Sequence, residues 1–367
     1  MHVAFLLSDL KGGGAQKMVI NLANWFAGQG HKSELVLVND EGDYKGLIAD
    51  NVIVRNLDKP RTFQAIPALA RYLKGENPDI LFSALYHVNV AAVLGKTLSG
   101  TKTKLVISER NYMTRSLGDY SVHTRLLWRF LMRFFYPFSN HIVGISNGVC
   151  DDLKGRLPTT SHKKIQTIYN PVVTAEFEDS VAKKVERVFP DHSSLKLITS
   201  GRLVPQKDYP TLLKSFALYL EKDPQAHLVI LGDGALKEEL KSLSDTLGVR
   251  DNITFKGFVD EPLAHIKQAD IFIMTSAWEG FCNVIVEALY CGLKVISTDC
   301  PAGPAEILED GEYGMLCPVG DSRAIAHAIE ECAKEDLAPE TQKERALHFH
   351  VDKIGTRFLK KFEELVE

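Results

Sequence analysis

The sequence predicts an α/β protein of two doubly wound parallel sheets, each covered by helices, facing one another across a cleft. Three observations predict this. At 367 residues the chain is longer than one hydrophobic core usually supports. Short apolar runs alternate with amphipathic stretches of roughly ten to fifteen residues, the pattern of parallel strands joined by helices. The rhythm lapses over the polar stretch 174–194 and then restarts.

The elements follow in order. In the first half, apolar runs predict strands at His2–Leu7, Ser33–Val38, Ile80–Phe82, Lys104–Ile107 and His141–Ile145, with a last one near Ile165–Tyr169 leading into Asn170-Pro171. Helical spacing predicts Gln16–Gly28, Ile66–Gly75, Val90–Ser99 and Thr124–Tyr136 between them. The second half predicts strands at Leu195–Thr199, Leu228–Leu231, Ile253–Phe255, Ile271–Met274, Lys294–Ser297 and Gly314–Cys317. Its helices are Thr211–Glu221, Leu236–Thr246, Val284–Cys291 and Arg323–Lys334. The expected domains are 1–175 and 195–340, with 174–194 as linker. Residues 341–367 close the chain as one or two helices, with Ile354, Phe358, Leu359, Phe362 and Leu365 near helical period, packing back toward the first domain.

Composition narrows the class of partner. With 45% apolar and 25% charged residues the chain is neither disordered nor fibrous. Its net charge of −4 by itself argues against nucleic acid or an anionic membrane as a partner, but that sum hides an asymmetry. Residues 1–175 carry 21 Lys and Arg against 13 Asp and Glu, and the remainder 22 against 34. No run approaches the roughly 20 apolar residues of a membrane span, and Met1–Leu7 is too short for a signal peptide. Six cysteines without CxxC spacing read as reduced thiols of a cytoplasmic chain.

Chemistry concentrates where strands end. Gly12-Gly13-Gly14 follows the first strand and opens a helix, so backbone N–H groups can approach a phosphate or sugar there. It is neither a dinucleotide fingerprint nor a Walker loop, and a plain strand-to-helix turn is the alternative. In Ser200-Gly201-Arg202-Leu203-Val204-Pro205-Gln206-Lys207 a tight exit places Arg202 and Lys207 near a strand's carboxyl end, where two cations suit a diphosphate. The densest run is Thr275 to Leu289. Glu279 lies in its loop, Asn283 is a good N-cap, and Glu287 stands one turn into the helix. Carboxylates accept from sugar hydroxyls and helix N-termini favour anions, so the run suits a ligand with both. Cys300-Pro301-Ala302-Gly303-Pro304-Ala305-Glu306 forms another rigid loop after a strand.

Glu279-x7-Glu287 followed by Gly292-Leu293-Lys294-Val295-Ile296 resembles the signature of retaining family-4 glycosyltransferases of the GT-B fold, two Rossmann-like domains. Gly12-Gly13-Gly14-Ala15-Gln16 and Gly201-Arg202-Leu203 with Gln206-Lys207 are similar to that family's glycine loop and diphosphate clamp. Leu231-Gly232-Asp233-Gly234, Phe255-Lys256-Gly257-Phe258 and Gly311-Glu312-Tyr313-Gly314 also fit, so the likeness covers nearly the whole chain. The resemblance implies a UDP-sugar donor, with Arg202 and Lys207 on the diphosphate and Glu287 on the ribose. Glu279 and the N–H groups around Phe281 and Asn283 would hold the sugar, with Gly13 and Gly14 approaching from the other domain. It implies no cofactor and no metal, since the cations and helix N-terminus supply the positive charge. It implies a front-face reaction, with the donor phosphate taking the acceptor's proton.

His87, Glu109 and Arg110 are candidate acceptor contacts, because each follows a strand of the first half. Arg125, Arg129 and Arg133 recur every four residues beside Trp128 and other large apolar residues, a basic stripe suited to an anionic membrane surface or, alternatively, the solvated edge of a core helix. The expected acceptor is therefore a lipid-linked or surface glycan at the inner face of the membrane. The loop at Cys300–Glu306 resembles members that assemble bacterial polysaccharides. A sugar-nucleotide epimerase on the same fold and a non-catalytic nucleotide-binding scaffold are the competing readings.

Overall fold

Among the described residues the strands pair entirely in parallel, as the alternation of strand and helix requires. The computed structural model describes residues 1–11, 13–118 and 120–367. It divides into one unit of Met1–Val172 with His350–Glu367, and a second of Val173–Phe349.

The first unit holds β1 (His2–Leu7), β2 (Lys32–Leu37), β3 (Ile53–Asn56), β4 (Ile80–Ala84), β5 (Lys104–Glu109), β6 (His141–Gly144) and β7 (Ile165–Thr167). Their order is β3-β2-β1-β4-β5-β6-β7. Val3 is registered against Ser33 on one side and Ile80 on the other, so β1 is central and its residues Val3–Leu7 are buried. A strand covered on both faces has to be apolar throughout, which is why this run is legible as a strand. Among the elements not anticipated are β3 and the helix Asn147–Arg156. β3 is a four-residue edge strand whose side chains are all exposed, so it has no buried face to pattern it. The helix Asn147–Arg156 carries two glycines and buries only Val149, Cys150 and Leu153; Ser146 caps it, accepting from Val149 N at 3.1 Å.

The helix Val351–Val366 completes this unit's core. Ile354, Phe358 and Phe362 recur at four-residue intervals and are fully buried. Phe362 stacks on Phe26 at 5.4 Å and Phe358 meets Phe82 edge-on at 5.6 Å. Gly355 lies under the Trp25 indole, where a Cβ would collide, and Trp25 Nε1 donates to Asp352 at 2.8 Å. Such aromatic pairs contribute about 0.5–1.5 kcal/mol each beyond their buried area.

The second unit holds β8 (Lys196–Ser200), β9 (His227–Leu231), β10 (Ile253–Gly257), β11 (Ile271–Met274), β12 (Lys294–Thr298) and β13 (Met315–Cys317), in the order β10-β9-β8-β11-β12-β13. Leu197, Leu228, Ile230, Ile271, Ile273 and Ile296 form the sheet side of its core. The stretch 174–194, expected as a linker, is part of this unit. Its few apolar residues are anchored: Phe177 packs edge-on to Tyr290 at 5.1 Å, and Val188 N donates to Gln268 at 3.2 Å. The expected tail 341–367 is likewise divided, because the helix Pro339–Ala346 belongs here. Arg345 is buried and donates to the carbonyls of Ile307 and Glu306, each at 2.7 Å.

Strand order reverses between β1 and β4 in the first unit and between β8 and β11 in the second. In open α/β sheets the crevice beyond the carboxyl ends at such a reversal is where ligands bind. No helix among the described residues is long and apolar enough to cross a membrane.

Candidate active site

At the β8/β11 reversal two loops are tied together by backbone and side chain. Ala277 N donates to Gln206 O at 2.8 Å, Gln206 Nε2 to Trp278 O at 2.9 Å, and Thr275 Oγ1 to the carbonyls of Lys207 and Asp208 at 3.0 and 3.1 Å. A third strand end closes on them. Gly232, at φ +126, packs against the Gly201 carbonyl with no room for a Cβ, while Gly201 N donates to Leu231 O at 3.0 Å. The glycines of Leu231-Gly232-Asp233-Gly234 thus have a local reason: the β8 and β9 exits touch backbone to backbone.

Inside this frame Glu279 is buried. Its Oε1 accepts from Lys207 Nζ at 2.6 Å and from Ser276 Oγ at 2.7 Å, and Gln206 Nε2 stands 3.5 Å from Oε2. Burial by itself would lower the Lys207 pKa, but the charge and hydrogen bond of Glu279 outweigh it and hold the pKa above its ordinary value. Lys207 is therefore an ammonium at neutral pH. Arg202, on the same loop, is exposed.

The helix Asn283–Tyr290 begins beside this pair. Asn283 was expected as its N-cap. Instead Cys282, in the left-handed conformation at φ 80, occupies that position and Asn283 is the first helical residue. Glu287 is half-buried one turn in. Phe281 is buried edge-on to Phe349 at 5.3 Å, and its backbone rests against Gly303, at φ +105. The Cys282 thiol lies against that of Cys300; burial, then that contact, push its pKa well above the usual thiol value.

The first unit offers its own reversal. Gly12 lies outside the described residues. Gly13, in extended conformation, stands at the N-cap of the helix Gly14–Gly28, whose exposed start carries Gly14. Asp9 Oδ1 accepts from Lys11 N at 3.0 Å beneath it. Across the reversal, Leu85 takes a left-handed turn at φ 79, and His87 follows in the first turn of the helix Tyr86–Ser99. Burial lowers the His87 pKa and the charge of Asp9 partly restores it, so the imidazole is neutral at pH 7.

Glu109 and Arg110 stand elsewhere, inside the carboxyl end of β5. Glu109 is fully buried, accepting from Tyr136 Oη at 2.8 Å and from Arg110 N at 2.9 Å. Burial pushes its pKa up to about 7 against the pull of those bonds. Arg110 is 6% exposed and donates to Asn170 at 2.8 Å; burial brings its pKa down to about 9, still a cation. These two side chains brace the strand end, whereas His87 is the one of the three at the reversal. Among the basic-stripe residues, Arg125, Arg129 and Arg133 are exposed, while Trp128 turns inward, edge-on to Tyr86 at 4.5 Å.

Among the described residues, one group of three metal-type ligands stands close together: His327, Glu330 and Glu331. It lies on the helix Ser322–Lys334, and its glutamates are paired with Lys222 and Lys334.

Two family models match in succession: "Glycosyltransferase Family 4" over residues 12–176 and "Glycosyl transferases group 1" over residues 182–348. The chain is a family-4-type GT-B glycosyltransferase. This glycosyltransferase is 27% identical, over 94% of its length and 93% of the relative's, to the N-acetylgalactosamine-N,N'-diacetylbacillosaminyl-diphospho-undecaprenol 4-alpha-N-acetylgalactosaminyltransferase of Campylobacter jejuni. It is also 27% identical, over 100% of its length and 99% of the relative's, to the same organism's GalNAc-alpha-(1->4)-GalNAc-alpha-(1->3)-diNAcBac-PP-undecaprenol alpha-1,4-N-acetyl-D-galactosaminyltransferase. The solved structure of Anabaena HepE with UDP and glucose shares the fold, at a TM-score of 0.77 and 19% identity over 99% of this chain and 100% of that one.

Several groups around the candidate site and around Glu109 and Arg110 are not legible in the sequence. Ser276 and Gln206 both stand inside quoted motifs, yet only the fold shows that they aim at Glu279. Tyr136, Asn89 and Asn170 come from three distant segments and meet only around Glu109 and Arg110.

Proposed function

We propose that the chain is a retaining glycosyltransferase that moves a hexose or N-acetylhexosamine from a UDP-sugar to a lipid-linked glycan. The observation that carries this reading is the buried Lys207–Glu279 pair at the β8/β11 reversal, with Arg202 on the same loop. Arg202 and Lys207 take the donor diphosphate. Lys207 then exchanges part of its interaction with Glu279 for the phosphate, freeing the Glu279 carboxylate to accept from sugar hydroxyls. Glu287 takes the ribose hydroxyls, and the N–H groups at Phe281 and Asn283 face the sugar. Gly13 and Gly14 offer backbone N–H groups at the first unit's own reversal.

In the step itself the bond from the anomeric carbon to the phosphate oxygen breaks. A bond from that carbon to the acceptor oxygen forms on the same face, and the acceptor's proton passes to the departing phosphate. Arg202, Lys207 and the helix N-terminus stabilise the charge that builds on the leaving group, so the mechanism is metal-independent. Neutral His87 is the acceptor-side contact, and Glu109 and Arg110 hold the adjacent strand end in place.

The acceptor class is supported by the activities for which the two Campylobacter relatives are named, both on undecaprenol diphosphate-linked glycans, and the UDP donor by the HepE complex. The proposed reaction takes place at the cytoplasmic face of the membrane. The test is a panel of UDP-sugars with extracted lipid acceptor, reading UDP release and product anomeric configuration. Acceptor-dependent release with retained configuration supports the reading, and an inverted product defeats it.

A further inference from the structure

The helix Val122–Phe135 exposes what a buried helix would hide. Its one fully buried side chain is Met132. Val122, Leu126, Phe130, Phe134 and, just beyond its end, Phe138 recur every four residues, and each is more than half exposed, Phe130 to 62%. On a helical wheel this apolar row faces away from the domain. Arg125, Arg129 and Arg133 form a second row, offset by about 100° from the first because each precedes an apolar residue by one position. Residues 122–138 contain no Asp or Glu. Lys164 adds a cation at the far end, donating to the carbonyls of Pro137 and Ser139 at 2.8 and 2.9 Å.

Large contiguous apolar rows are rare on a surface that meets only water. Two occupants fit an exposed apolar row: a second copy of the chain, or lipid. In a two-fold pairing of this helix with itself the arginine rows would be brought together, with no carboxylate on the segment to offset them. An anionic bilayer meets both rows favourably, the apolar one in the acyl boundary and the basic one at the headgroups.

We infer that the helix Val122–Phe135 lies flat on an anionic lipid bilayer, inserting Leu126, Phe130 and Phe134 and setting Arg125, Arg129 and Arg133 on lipid phosphates. Trp128 fastens it to the substrate end of the sheet: its ring meets Tyr86, the residue before His87, and Tyr86 Oη lies 3.3 Å from Tyr120 Oη. Docking therefore holds the β1/β4 reversal next to the membrane surface. This deepens the proposed function, on whose lipid-linked acceptor its purpose rests.

The experiment is flotation of the full chain with phosphatidylcholine vesicles containing about one third phosphatidylglycerol, without donor or acceptor. The wild-type chain floats with them and less with phosphatidylcholine alone. Replacing Leu126, Phe130 and Phe134 together by Ser weakens flotation by about tenfold or more. These positions are exposed, so the variant keeps its fold, which circular dichroism checks. Arg125→Glu with Arg129→Glu weakens it on anionic vesicles. A wild-type chain that stays in the soluble fraction overturns the inference, as does a serine variant that floats equally well. So does a stable dimer that Phe130→Ser disperses, since the row is then covered by a second copy. UDP release with a short-chain, water-soluble diphosphate acceptor is read in parallel. Its absence in the wild type counts against glycosyl transfer and leaves docking standing.

Discussion

Lys207 donates to Glu279 at 2.6 Å, with both side chains largely withdrawn from water at the point where the second sheet reverses its strand order. A pair in that position is costly to break from one side, because the survivor is left as an uncompensated buried charge. It is also the kind of pair that a ligand carrying both phosphate and hydroxyls can divide.

Lys207→Ala and Glu279→Ala are each expected to lower kcat/KM by roughly 10²–10³. Each also lowers the unfolding midpoint. The double variant is expected to be less destabilised than the two singles summed, since it strands no charge. Thermal melts of the four proteins measure this. Strict additivity in both activity and stability would mean the two residues act independently.

Gly303→Ala tests the support beneath the donor loop. Gly303 sits at φ +105 with the backbone of Phe281 against it, so a methyl group meets both a backbone penalty and a collision. The expected cost is about 1–3 kcal/mol of stability, with a raised KM for the donor. Ala at Gly30, also at positive φ but in open space, should cost less. Chemical denaturation compares the two, and equal losses would show that the contact with Phe281 contributes nothing.

The pH dependence of stability should carry the signature of Glu109. Burial raises its folded-state pKa to about 7, above the ordinary carboxylate value. Between the two values the folded state holds a proton that the unfolded chain has released. Its contribution is therefore complete below the unfolded pKa and is lost as pH rises toward 7, by an order of 1–3 kcal/mol. Glu109→Gln removes the titration, so the variant's stability relative to wild type should improve from pH 5 to pH 8. Urea midpoints across that range decide it, and a pH-independent difference would place the Glu109 pKa in the ordinary range.

The strands were legible wherever they are buried on both faces: β1 and β11 run over the residues their apolar content predicts. β3 was not, because an exposed edge strand has no buried face to pattern it. The glycine and acidic motifs marked the loops at the second reversal, since tight backbone approaches at Gly232 and Gly303 require specific residue types. The partners Ser276 and Gln206 were illegible because a hydroxyl and an amide are equally at home in solvent. The arginine spacing pointed to a basic stripe, but spacing alone could not show which way Trp128 turns. The packing of Tyr86 and Phe63 against its ring decides that.

The last helix should be indispensable to the first unit. Phe358→Ala removes a fully buried ring that packs on Phe82 and Phe362, at an expected cost of about 3–5 kcal/mol. Phe258→Ala, a change at a ring that is 79% exposed, should be near neutral for stability. Calorimetry of both variants tests the assignment. A mild Phe358 variant would mean that the helix is dispensable to that core.

The most direct test of glycosyl transfer at the β8/β11 reversal is UDP release from UDP-sugars in the presence and absence of a lipid-linked acceptor, for the wild type and Lys207→Ala. Acceptor-dependent release by the wild type, reduced by roughly 10²–10³ in the variant, is the expected result. Equal turnover by the two proteins would overturn the role of Lys207 in transfer.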